Sequence, residues 1–162
     1  MFKTERCAIT KLQESDYNEV KRIYENQEVR KFLGGIHQEA SIGERFREML
    51  DSSHDFFYWV VREKQTETMI GLVSLDLHHE GVYQEISYQF LPCWWGKGYA
   101  SEVISVVIHF ALYELNLPLI VAETQTANKA SCKLLERLGM ELERTIFRFG
   151  ADQAIYSIRP LK

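Results

Sequence analysis

Nowhere in the 162 residues is there an apolar run long enough to cross a membrane. The most apolar segment, Ala100 to Glu114, is interrupted by Ser105 and His109, and a spanning helix needs roughly twenty predominantly apolar residues. Cysteine is scarce too. Cys7, Cys93 and Cys132 are odd in number and show no Cys-x-x-Cys spacing, which argues against a disulfide framework. No signal-like apolar stretch follows Met1-Phe2-Lys3, so a soluble, cytoplasmic protein with reduced thiols is expected. Positive charge is in short supply, with 19 Lys and Arg against 23 Asp and Glu for a net charge of −4. Without a general basic field no nucleic-acid partner is expected, and an amine-bearing, cationic acceptor fits better. Repeats, low-complexity tracts and linkers are absent, and the length suits one domain over 1–162.

What is present reads as alternating strands and helices. Arg6 to Leu12 alternates as a strand, and Ser15-Asp16 caps a helical pattern with Tyr17, Val20, Ile23 and Tyr24 on one face. Ser41-Ile42-Gly43-Glu44 has capping-box spacing and starts a second helix that turns Phe46, Met49 and Leu50 inward. Phe56 to Glu63, Met69 to Leu77 and Val82 to Leu91 read as an antiparallel meander with turns at 64–68 and 78–81. Ala100 to Glu114 is apolar on nearly every side and predicts a buried helix. Leu119 to Thr124 follows it and is expected parallel to Val82–Leu91. Asn128 to Leu138 predicts a further helix stopped by Gly139, before a closing hairpin of Met140–Phe149 with Gln153–Pro160. The order is β-α-α-β-β-β-α-β-α-β-β. His78-His79-Glu80 invites a metal reading, but Glu80-Gly81 suits a hairpin turn and neighbouring strand residues point to opposite faces. No metal is expected.

The run Trp95-Gly96-Lys97-Gly98-Tyr99-Ala100 lies where a strand gives way to the buried helix. Glycine there permits φ > 0 and close approach of a ligand, and the first helical turn offers unpaired N–H groups at the positive end of the dipole. That is an anion site suited to a phosphate. A Walker loop is excluded, because Lys97 stands between the glycines with Gly98 and Tyr99 after it. A dinucleotide fingerprint is excluded because the turn comes past the middle of the chain, after antiparallel strands. About thirty residues later stands Asn128-Lys129-Ala130-Ser131-Cys132-Lys133-Leu134-Leu135-Glu136-Arg137-Leu138-Gly139-Met140.

In this order and at this separation the two segments resemble those of the GNAT N-acetyltransferases. The turn is similar to that family's pyrophosphate loop, Gln/Arg-x-x-Gly-x-Gly/Ala, with Trp95 in place of the first residue. The form Trp-Gly-Lys-Gly-Tyr-Ala followed by Ser101-Glu102 resembles the RimJ/RimL-like branch. The resemblance implies an α/β, mixed-sheet GNAT fold, mostly antiparallel, with a splayed parallel strand pair and flanking helices. It implies acetyl-CoA as co-substrate, held by Trp95, Gly96, Lys97, Gly98, Tyr99 and Ala100 at the pyrophosphate. The pantetheine arm would lie between Gln89, Phe90 and Leu91 on one strand and Ala122 to Thr124 on the other, with Asn128 and Ser131 contributing from the later helix. The acceptor would be a peptide N-terminal α-amine or a small amine such as a polyamine, amino acid or amino sugar. A homodimer is compatible with it.

Acetyl transfer to an amine needs a neutral nucleophile, a polarised thioester carbonyl and a proton for the departing thiolate. In many family members a tyrosine seven residues beyond the asparagine supplies that proton, but Leu135 stands there in this chain. Ser131, three residues beyond Asn128, has the RimJ/RimL-like place for the role. Glu85 has the spacing of a catalytic glutamate relative to Gln89–Leu91, though a solvated strand-end carboxylate is equally consistent, and Glu102 stands too close to the pyrophosphate to be preferred. Gly34-Gly35 marks either a mobile piece of the acceptor wall or a plain turn. The other reading is an acyl-CoA-binding or sensing domain without turnover.

Overall fold

The computed structural model describes residues 1–161. Among them, eight strands form one mixed sheet in the order β1-β2-β3-β4-β5-β6-β8-β7. The strands are β1 Phe2–Lys3, β2 Cys7–Lys11, β3 Phe57–Glu63, β4 Met69–Leu77, β5 Gln84–Phe90, β6 Ile120–Gln125, β7 Glu141–Arg148 and β8 Ala151–Ile158. The helices are α1 Tyr17–Glu25, α2 Gln27–Arg30, α3 Glu39–Leu50, α4 Tyr99–His109 and α5 Lys129–Arg137. Every neighbouring pair is antiparallel except β5 and β6. The expected α/β GNAT-type architecture is therefore present, including the meander and the closing hairpin.

Alternation along the central strands divides the apolar side chains between two layers. Ile70, Val73, Leu75, Ile86 and Phe90 pack with Val103, Ile104, Val107 and Ile108 of α4. Tyr58, Val60, Met69 and Leu72 pack on the opposite face with Val20, Ile23, Ile42, Phe46 and Met49 of α1 and α3. Each such buried side chain contributes about 1.5–3 kcal/mol. Four of them from α4 make the position of that helix, and hence of the turn that starts it, costly to change.

Several local expectations are corrected. β1 and α2 were not legible, and α2 exists because the Asn26 side chain accepts from Val29 N at 3.0 Å. The Ser41–Glu44 box is not used: α3 starts at Glu39 behind Gln38, which makes no side-chain cap. Asp16 does not cap forward either. Its carboxylate accepts from Gln13 N at 2.8 Å and from Arg62 at 3.0 Å, closing a short 3-10 turn ahead of α1. The apolar helix ends in a π turn, Phe110–Glu114. Gly139 stops α5 with φ 89°, as expected of a left-handed residue after a helix. No helix among the described residues is long and apolar enough to cross a membrane.

Candidate active site

The parallel pair is short. β5 and β6 pair only at Gln84↔Ile120 and Glu85↔Val121, although β5 runs on to Phe90 and β6 to Gln125. Each strand keeps its outer partner throughout, β4 for β5 and β8 for β6, so the two diverge in a V. A cleft of about 1190 Å³ opens there, running from the Trp94–Ser101 turn past β5 and β6 to the wall made by α2, α3 and β4.

At one end, Gly96 (φ 72°) and Gly98 (φ 83°) bend the chain from β5 into α4. Both lie in the left-handed region, where an L side chain costs roughly 1–2 kcal/mol. Gly98 is the N-cap of α4, and a Cβ there would meet Arg6 Nη2 at 3.3 Å. Arg6 holds the turn from behind. Its Nη1 donates to the Lys97 carbonyl at 2.9 Å, its Nε to Glu102 at 2.8 Å, and its guanidinium lies 4.1 Å from the Tyr99 ring centroid. Glu102 also accepts from Arg6 N and from the Thr4 hydroxyl. These hydrogen bonds, with the Arg6 cation, hold its carboxyl below the usual range despite burial. Glu102 is thus a strut of the loop, and the Lys97 carbonyl is turned away from the cleft toward Arg6.

Trp95 replaces a polar residue of the family pattern, yet its indole is in use. Nε1 donates to the Phe90 carbonyl at 2.7 Å, closing the end of β5 onto the turn. Lys97 projects toward Trp94, with Nζ 5.8 Å from that ring. Neither Lys97 nor Leu91 lines the cleft, whereas Gln89, Phe90, Trp95, Gly96, Gly98, Tyr99, Ala100, Asn128 and Ser131 do. Leu91 packs with the α1–α3 layer and donates its N–H to Ile70 O.

On the α5 side, the Asn128 side chain accepts from Ser131 N at 3.2 Å and caps the helix, leaving its amide N–H donors uncommitted. The Ser131 hydroxyl pairs with the Tyr88 hydroxyl at 2.7 Å. Burial pushes the Tyr88 phenol up to about 12, so it keeps its proton at neutral pH. Leu135 is buried core. A phenol thus reaches Ser131 from β5 rather than from α5. Strand parity was the usable signal, because Tyr88 shares its face with Ile86 and Phe90 toward α4 and α5.

Where β5 and β6 part, Glu85 sits at the apex. Its carboxylate accepts from Glu123 N at 3.3 Å, an N–H that continued parallel pairing would have used. Burial, with Asp76 and Glu123 nearby, pushes the Glu85 carboxyl up to about 8. Asp76, directly opposite in register, accepts from the Tyr58 hydroxyl at 2.8 Å. Glu123 is bound by Arg148 at 2.8 and 3.1 Å and approached by His78 and His79 at 2.8 and 3.3 Å. The two histidines do not point to opposite faces, as strand alternation suggested. Both lie beyond the end of β4, their ring centroids 4.1 Å apart, and converge on Glu123. The Arg148 guanidinium on that same carboxylate already supplies its positive partner.

The arrangement combines a glycine turn at a helix start, a slot between two parted strands, a hydroxyl pair and a carboxyl of raised pKa, all on one cleft. The profile of the acetyltransferase (GNAT) domain family matches residues 6–141, and the chain belongs to that family; it is an N-acetyltransferase. A curated relative, an uncharacterized N-acetyltransferase YoaA of Bacillus subtilis (strain 168), is 27% identical over 98% of this chain and 96% of its own. Spermidine N-acetyltransferase of Vibrio cholerae, solved with CoA and spermine, superposes with a TM-score of 0.81 at 20% identity, covering 95% of each chain. The ribosomal-protein-S5-alanine acetyltransferase of Vibrio fischeri gives 0.81 at 19% identity over 98% and 95%. At these identities the two structures speak for the fold.

Proposed function

We propose that this chain transfers the acetyl group of acetyl-CoA to a primary amine by direct attack within a ternary complex, and that it stands on the RimJ/RimL-like side of its family. The observation that carries the reading is the early end of β5–β6 pairing, with the Gly96–Gly98 turn at its open end and the Tyr88–Ser131 pair on its edge. The residues fit the co-substrate. Left-handed glycines with open space at Gly96 leave room for a diphosphate against the N–H groups of Gly98 to Ala100. The free edges of 86–90 and 122–125 suit the amides of a pantetheine arm.

Acetyl-CoA supplies the activated thioester. Glu85, as its carboxylate, takes the proton of the incoming ammonium, directly or through water, so that a neutral amine attacks. Ser131, backed by the Tyr88 hydroxyl, gives a proton to the departing sulfur. Glu102 takes no part, being tied to Arg6 and Thr4. Purified protein incubated with acetyl-CoA and a panel of peptides, amino acids, amino sugars and polyamines should release free thiol only when its acceptor is present. Thermal stabilisation by CoA with no release on any acceptor would instead favour a sensing domain.

A further inference from the structure

Arg30 lines the α2 side of the cleft and is buried, 7% exposed, yet none of its partners among the described residues is an anion. Its Nε donates to Gly35 O at 3.0 Å and Nη2 to Leu33 O at 2.6 Å, while Nη1 donates to Gln89 Oε1 at 2.9 Å. Nη2 also lies 3.0 Å from His37 Nε2. Four of its five N–H groups are used, all on neutral atoms, and one on Nη1 remains. A buried cation without a counter-charge is expensive to keep. Because an arginine can only donate, His37 Nε2 must accept, and the ring proton is on Nδ1. That Nδ1 is buried and has no partner among the described residues. A third donor, Arg45, faces the same cleft and meets Asp76 only at 3.8 Å and Glu48 at 3.6 Å.

We propose that the acceptor carries an oxyanion in addition to its amine, received by Arg30, His37 and Arg45, so that the substrate class is carboxylate-bearing primary amines rather than polyamines. This rests on the acetyl-transfer reading and deepens it. Burial and both guanidinia hold the His37 ring neutral, so it can present only the Nδ1 donor. Of the charged side chains lining the α2–α3 and β4 side of the cleft, two guanidinia, Arg30 and Arg45, face one carboxylate, Asp76. A second ammonium of a polyamine would be set against that surplus of positive charge. Gln89, gripped by Arg30, lies four residues from Glu85 on the same face of β5, about 13 Å at the rise of a strand. Arg45 reaches back toward the amine end, since its partner Asp76 stands opposite Glu85 in register.

The test compares glycine, β-alanine, 4-aminobutyrate, L-glutamate and an Asp-containing tetrapeptide, each beside its carboxamide form, with spermidine as control. Thiol release is followed in the wild type, and calorimetry follows binding to the CoA-loaded protein. At least one free carboxylate should bind and react about tenfold or more better than its amide, and whether it is an amino acid or the peptide identifies the source. Arg45→Gln and His37→Phe, chosen because Arg30 also staples its own loop, should raise KM for that carboxylate with kcat little changed and leave spermidine unaffected or improved. Amides as good as acids, spermidine better than every acid, or a preference surviving both variants would overturn the proposal while leaving acetyl transfer standing. Carboxylate-selective binding without thiol release on any amine would sink acetyl transfer and leave the oxyanion site.

Discussion

At one end of the cleft the proposed binding groups are main-chain amides of the Gly96–Ala100 turn, aimed by two left-handed glycines and held from behind by Arg6. At the other they are side chains, Glu85, Asp76, Glu123, Arg30 and Arg45, gathered from β5, β4, β6, α2 and α3. The first end is local, because all of these proposed groups lie within one short segment. The second exists only after the sheet has assembled. A backbone site tolerates exchange of most of its side chains, whereas a side-chain site changes its chemistry with each of them, so one co-substrate and many acceptors can coexist on one fold.

Breaking the first end should have the largest effect. Gly98→Val forces a β-branched residue into φ 83° and against Arg6, with about 1–2 kcal/mol of backbone strain. CoA binding by calorimetry should disappear while the circular dichroism spectrum stays that of the wild type; unchanged affinity would refute the loop assignment. At the second end, Glu85→Gln should lower kcat by about 10²–10⁴ and leave CoA affinity alone. Its pH profile sharpens the point. A base whose carboxyl is pushed up to about 8 must lose its proton to work, so kcat/KM should rise with pH up to about 8 and level off, and the variant should lack that limb.

Linkage gives the same group a stability signature of opposite sign. The folded pKa is raised from an unfolded value of 4.5 to about 8, so folding is favoured most below 4.5 and loses stability as pH rises through that window. The wild type minus Glu85→Gln difference in unfolding free energy, followed by denaturant titration, should fall from pH 4.5 to 8. A flat difference would mean that the carboxyl is not desolvated.

Smaller effects separate the hydroxyl pair from the loop. Ser131→Ala should reduce turnover by roughly ten- to a hundredfold with CoA affinity nearly unchanged, the scale of one lost proton donor. Tyr88→Phe should do less, and the double variant little more than Ser131→Ala alone, because the two act as a unit. Additive losses would show that Tyr88 and Ser131 work separately. The smallest change is expected from Trp95→Phe, which removes one neutral hydrogen bond to Phe90 O. CoA affinity should weaken by no more than about tenfold, with kcat preserved.

The same contrast explains what could be read in advance. The order of strands and helices, the meander, the buried α4 and the turn at Gly96–Gly98 follow from periodicity and glycine placement, which are properties of short stretches, while the mixed-sheet architecture came with the family resemblance. Arg6 as the brace of that turn is 91 residues from Lys97, whose carbonyl it holds, and no spacing rule reaches so far. Strand alternation does not foretell the convergence of His78 and His79 on Glu123, because both residues lie past the end of β4 at Leu77. Tyr88 is illegible for a related reason, since the spacing of residues along α5 carries no information about a hydroxyl arriving from a facing strand. Ser41–Glu44 had the right residues for a cap, but α3 starts ahead of it at Glu39.

The central claim is that main-chain amides at the start of α4 hold the diphosphate of CoA. Backbone amide NMR of the labelled protein titrated with CoA tests it most directly. The account predicts the largest shifts at Gly96, Gly98, Tyr99 and Ala100, followed by residues 86–90 and 122–125, with little change at Arg30 or Arg45. Saturable shifts centred elsewhere, or none at the turn at millimolar CoA, would contradict it.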